Sequence, residues 1–118
     1  MIRQLIAIAT FLLFISSATA QLYVSNGATV YINTGASVVV QSNVTNAGTV
    51  TGPGTLLLQG TSLQTIDGTG SIYNLTLNNA AGAVITSGGA NMQSLYGTLT
   101  LTSGLLTTNS KQWQFSYQ

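Results

Sequence analysis

The sequence predicts an all-β chain wound as a short right-handed parallel β-helix, or β-solenoid. Three observations carry this. After residue 20, short runs of Val, Leu and Ile mostly alternate with polar residues, the mark of strands with one buried face. Glycine beside Asn, Ser, Asp or Thr separates the runs and supplies tight bends. A unit of glycine, small residue and apolar run recurs at uneven intervals. Stacked coils accommodate such unevenness by bulging at their corners. The same strand spacing also permits a small antiparallel β-sandwich, which is the alternative fold.

Residues 1–20 are expected to be a signal peptide. Arg3 opens the segment, Leu5 to Ile15 is an apolar core, and Ala18-Thr19-Ala20 is a small-x-small cleavage site. The apolar core falls well short of the roughly 20 residues needed to span a bilayer. Cleavage before Gln21 leaves a secreted or cell-surface chain with no membrane insertion.

Residues 21–110 form the expected solenoid region. The first alternating run is Ala28 to Asn33. Ser37 to Gln41 and Thr55 to Gln59 follow, each with three consecutive apolar residues that read as strands buried on both faces. Asn74 to Asn78 and Thr98 to Thr102 alternate cleanly. The repeated unit appears as Gly27-Ala28-Thr29-Val30, Gly35-Ala36-Ser37-Val38 and Gly82-Ala83-Val84-Ile85, with shorter forms at Gly48, Gly54, Gly97 and Gly104. At roughly 20 residues per coil, the region makes about four or five coils. No window shows helical periodicity after residue 20.

Composition excludes several functions. Only 3% of the 118 residues are charged, namely Arg3, Asp67 and Lys111, and there is no His or Cys. A catalytic triad needs a histidine, and acid–base work by paired carboxylates needs a second acid. Metal sites need His, Cys or several carboxylates. The reading is therefore not an enzyme, with no cofactor and no metal. Without a basic patch, phosphate contacts cannot drive nucleic-acid binding. Asp67-Gly68 reads as a turn.

The stretches Gly54 to Gln59, Ile72 to Asn79 and Gly97 to Thr108 resemble the parallel β-helix segments of large secreted bacterial adhesin-like surface proteins. That resemblance implies a structural or adhesive role at the cell surface or in the extracellular matrix, with this chain as the N-terminal part of a longer adhesin. Such proteins run to hundreds of residues and often end in a sorting domain.

Two sets of residues are candidate ligand contacts. Thr98, Thr100 and Thr102 make a row of hydroxyls on one strand face, with Thr49 and Thr51 as a shorter echo. Ranked threonines resemble the ice-binding faces of antifreeze proteins. Tyr31 and Tyr96, with Tyr23 and Tyr73, offer rings for stacking on sugars if they share a face. Surface glycans and self-association are the expected partners, giving a carbohydrate- or ice-binding module and a self-assembling fibre subunit as alternative functions. Asn43-Val44-Thr45 and Asn74-Leu75-Thr76 fit the N-glycosylation sequon. Residues 111–118 form an aromatic tail in which Trp113, Phe115 and Tyr117 alternate. It reads as a capping strand, a docking strand or a truncation scar.

Overall fold

The computed structural model describes residues 20–86 and 93–108, together with the backbone of 114–115. Except for Ala20, the expected leader lies outside them. Strands make up the regular structure, and no helix occurs among the described residues. β1 (Leu22–Val24), β2 (Thr29–Tyr31) and β3 (Ser37–Val40) form the three sides of a first coil. β4 (Val44–Asn46), β5 (Thr49–Thr51) and β6 (Thr55–Leu58) form the second, and β7 (Gln64–Asp67), β8 (Ser71–Ile72) and β9 (Leu75–Asn78) the third. β10 (Ala83–Ile85), β11 (Ser94–Leu95) and β12 (Leu99–Ser103) complete a fourth. β13 (Leu106–Thr107) and β14 (Gln114–Phe115) begin another.

Each strand pairs with the strand three places further along the chain. The first sheet runs β1-β4-β7-β10-β13, the second β2-β5-β8-β11-β14 and the third β3-β6-β9-β12. Every pairing among the described strands is parallel. The chain is thus a β-solenoid of about four turns. An antiparallel sandwich is ruled out, because strands adjacent in sequence lie in different sheets and do not pair.

Each sheet is a single layer with one face inside and one outside. That geometry demands alternation, and the side chains obey it. Inside the first sheet, Val44 and Ile66 stack in register, with Leu22 and Ile85 on either side of them. In the second sheet the interior column is Val30, Val50, Ile72 and Leu95. In the third it is Val38, Leu56, Leu75 and Leu99, beside Val40, Leu58, Leu77 and Leu101. Most of these side chains form one buried apolar cluster.

The triple apolar runs correct one expectation. Val38-Val39-Val40 and Leu56-Leu57-Leu58 are not buried on both faces. Val39 is 46% exposed, and Leu57 is only half-buried while Leu56 and Leu58 are buried. A solenoid wall has no second layer outside it, so the middle residue of each run faces solvent. The glycine unit also acquires a definite meaning. Gly27, Gly35, Gly48, Gly54, Gly82, Gly97 and Gly104 each sit at the corner just before a strand. The repeat therefore marks sides of the coil, and several units occur per turn.

Corner lengths absorb the irregular spacing. Val38 pairs with Leu56 18 residues on, Leu22 with Val44 22 residues on, and Leu75 with Leu99 24 residues on. In β12 a register shift between Leu101 and Ser103 leaves Thr102 as an extra residue.

Buried amides close the corners. Asn46, Gln64, Asn79 and Gln93 are each at most 2% exposed. Between the third and first sheets, the Gln64 amide nitrogen donates to the carbonyls of Val40 (3.0 Å) and Ser42 (2.6 Å) in the coil before it. Its oxygen accepts from Gly60 N (2.9 Å) and from Asn79 Nδ2 (3.0 Å). Between the first and second sheets, Gln93 Nε2 donates to the carbonyl of Asn46 at 2.6 Å, two coils away. Asn46 Nδ2 donates to the carbonyl of Ser71 at 3.0 Å, and Asn46 Oδ1 accepts from Gly48 N at 3.1 Å. At the same corner Gly68 holds φ near 105° with its backbone against that of Asn46. A side chain there would meet both strain and a clash.

These contacts set a measurable contrast. Gln64→Leu removes the partners of the Ser42 carbonyl and the Gly60 N–H, and one bond each from the Val40 carbonyl, which keeps Gln59 N, and from Asn79 Nδ2, which keeps the Ser62 carbonyl. It is expected to lower unfolding free energy by at least about 2 kcal/mol. Gln59→Leu, at an exposed position, is expected to stay within about 0.5 kcal/mol of the parent. Urea denaturation followed by circular dichroism checks both, and equal losses would contradict the role given to Gln64.

Candidate functional site

The second sheet carries the candidate ligand face. Its inward residues, Val30, Val50, Ile72 and Leu95, anchor each rung in the core. The residues on either side must then face solvent. One outward column is Thr29, Thr49, Ser71 and Ser94, placed in line by the strand register. The other begins with Tyr31 opposite Thr51. Tyr73 N donates to the carbonyl of Val50 at 2.8 Å, which sets Tyr73 in step with Thr51. Tyr96 N donates to the carbonyl of Ile72 at 3.0 Å, which sets Tyr96 in step with Tyr73. Four successive coils thus present Tyr, Thr, Tyr and Tyr in one column beside a column of hydroxyls.

Adjacent rungs of a sheet are about 4.8 Å apart. Tyr73 and Tyr96 are therefore neighbours, and Tyr31 stands two rungs from Tyr73. The smaller Thr51 leaves a depression between them, lined by Tyr31, Thr51, Gly52, Pro53 and Tyr73. A second depression continues past Tyr73 to Tyr96 over Thr49 and Ser71. Tyr31 is 63% exposed and Tyr96 38%. Asp67 is the single charged side chain among the described residues, and it lies on the first sheet in register with Thr45. The face itself is neutral.

The other predicted site residues fall elsewhere. Thr98, Thr100 and Thr102 are exposed on the third sheet, at and before β12. They share no flat face with Tyr31 and Tyr96. Below Thr100 the column continues as Thr76, Leu57 and Val39, so the threonine row is not repeated on successive coils. Thr49 and Thr51 belong to the second sheet and are part of the tyrosine face. Tyr23, 68% exposed, lies on the first sheet and stands apart from the other three tyrosines. Asp67 Oδ1 accepts from Gly68 N at 2.9 Å within its own turn.

Both sequon asparagines are engaged in coil contacts. Asn74 Nδ2 donates to the carbonyl of Gly54 at 3.1 Å, and its oxygen accepts from Thr98 N at 3.0 Å. These bonds close the corner between the second and third sheets. Asn43 Oδ1 accepts from Thr65 N at 3.0 Å. In the tail, Gln114–Phe115 pairs with Ser94–Leu95 as the outermost strand of the second sheet. Trp113, Tyr117 and the side chain of Phe115 lie outside the described residues.

Sequence reading named the four tyrosines but could not align them. Of the hydroxyl column Thr29, Thr49, Ser71 and Ser94, the sequence singles out Thr49 alone. The column's signal was present only as a Ser or Thr near the start of each second-sheet strand.

Comparison with known proteins finds no matching family model, no matching curated protein and no matching solved structure.

Proposed function

We propose that this chain is an exported structural or adhesive β-repeat element of the cell surface or extracellular matrix. The observation that carries the reading is the outward column of Tyr31, Thr51, Tyr73 and Tyr96 on a neutral sheet. Exposed aromatic rings in register on a rigid, uncharged wall suit contact with a surface, because they offer apolar area with little entropy to lose. The leader pattern over residues 1–20 supports export. Chemistry-bearing side chains are too few for catalysis, so the chain acts by shape and contact. The likeness to adhesin repeats extends the proposal to a larger surface protein that carries such coils.

Fractionating the native host tests this. The product is expected in the medium or envelope, starting at Gln21, and open to protease on intact cells. An intracellular product that retains Met1 would overturn the proposal.

One observation favours a second reading, assembly into a fibre. Leu101 continues the buried column of Val40, Leu58 and Leu77, yet it is 53% exposed. Apolar interior at β12 thus lies open, and a second copy seated on it would continue the third sheet. Light scattering is expected to grow with protein concentration, and Leu101→Lys to suppress that growth. A chain that stays monomeric at high concentration would end the fibre reading.

A further inference from the structure

The tyrosine face also points to a ligand class, an inference that rests on the adhesive reading above. The column runs along the solenoid axis, crossing one strand per step of about 4.8 Å. A β-1,4-linked sugar chain is extended, and each of its rings advances by close to one such step. Pyranose rings with equatorial hydroxyls have apolar C–H faces and polar edges. A column of aromatic rings flanked by hydroxyls matches both surfaces. Tyr31 on one side of the Thr51 depression and the neighbouring Tyr73 and Tyr96 on the other supply aromatic surface, and Thr29, Thr49 and Ser71 supply donors and acceptors alongside.

We propose that a neutral β-1,4-linked glycan lies along this face, with about one sugar ring per coil. The depression over Thr51, between Tyr31 and Tyr73, takes one of these rings.

Other occupants fit less well. A nucleic acid or an anionic glycan needs cationic partners, and this face has no charged side chain. An added peptide strand needs an open sheet edge, whereas β5, β8 and β11 are paired on both sides. An ice lattice needs a flat array of small groups, and the projecting ring of Tyr31 interrupts one.

The test is calorimetric titration of the mature chain, residues 21–118, with cello-oligosaccharides and chito-oligosaccharides of two to six rings. Affinity is expected to rise up to about four rings and then level off, because Tyr31 to Tyr96 spans three strand intervals, about 14 Å. Tyr73→Ala and the more exposed Tyr31→Ala are each expected to weaken binding about tenfold. Tyr73→Phe, which keeps the ring, is expected to stay within about threefold. Thr100→Ala, on the third sheet, is expected to change nothing, and so is added salt. The two sugar series distinguish a plain glucan from an N-acetylated one, and binding of either supports the proposal. Binding that survives both alanine variants would place the sugar elsewhere and overturn it. No binding of either series by a chain found on the cell surface would also overturn it, while leaving the adhesive reading intact. Binding by a chain that never leaves the cell would keep the glycan face and end the adhesive reading.

Discussion

A three-sided coil must turn its backbone at every corner, and each corner is pressed against the coils before and after it. Polar backbone groups at those corners lose water and need partners. Buried amides meet this constraint. Gln64 and Asn79 close the corner between the third and first sheets, and Asn46 and Gln93 close the one between the first and second. An amide carries both donor and acceptor without charge, so one side chain serves carbonyls on one side and N–H groups on the other. A carboxylate or ammonium in the same place would bury an uncompensated charge. The sequence has no cysteine, and Asp67 is the single charged side chain among the described residues, so neither disulfides nor ion pairs do this work there.

The ligand face follows from those corners. Side chains align in columns only if every coil returns to the same register, even though coil length varies from one side to another. The corners absorb the differences, while hydrogen-bonded rungs keep the strands in step. Tyr31, Tyr73 and Tyr96 are separated unevenly along the chain yet share one column. The interior apolar ladder and the exterior aromatic ladder are consequences of one register, since inward and outward residues alternate along each strand.

Much of the fold was legible because strand chemistry is local. The alternation in Asn74 to Asn78 and in Thr98 to Thr102, and the glycine before nearly every run, are visible in a few residues. The unbroken runs Val38 to Val40 and Leu56 to Leu58 misled, because periodicity alone cannot show whether a second layer covers the outer face. Gln64 and Gln93 were invisible for a related reason. In a chain so rich in amides, residue type alone does not separate the buried Gln64 from Gln59, which is exposed at the corner just before it. Of the candidate face, the residue types were legible and the arrangement was not. Whether Tyr96 lies above Tyr73 depends on the length of the corner between β10 and β11, a property of the whole coil.

The central claim is therefore the parallel register that stacks Thr51, Tyr73 and Tyr96. Nuclear Overhauser contacts in the isotope-labelled mature chain test it most directly. The account predicts contacts linking the amide proton of Tyr73 to Val50 and that of Tyr96 to Ile72, each across a full coil. Hairpin contacts between sequence neighbours, such as β5 facing β6 in antiparallel order, would contradict it.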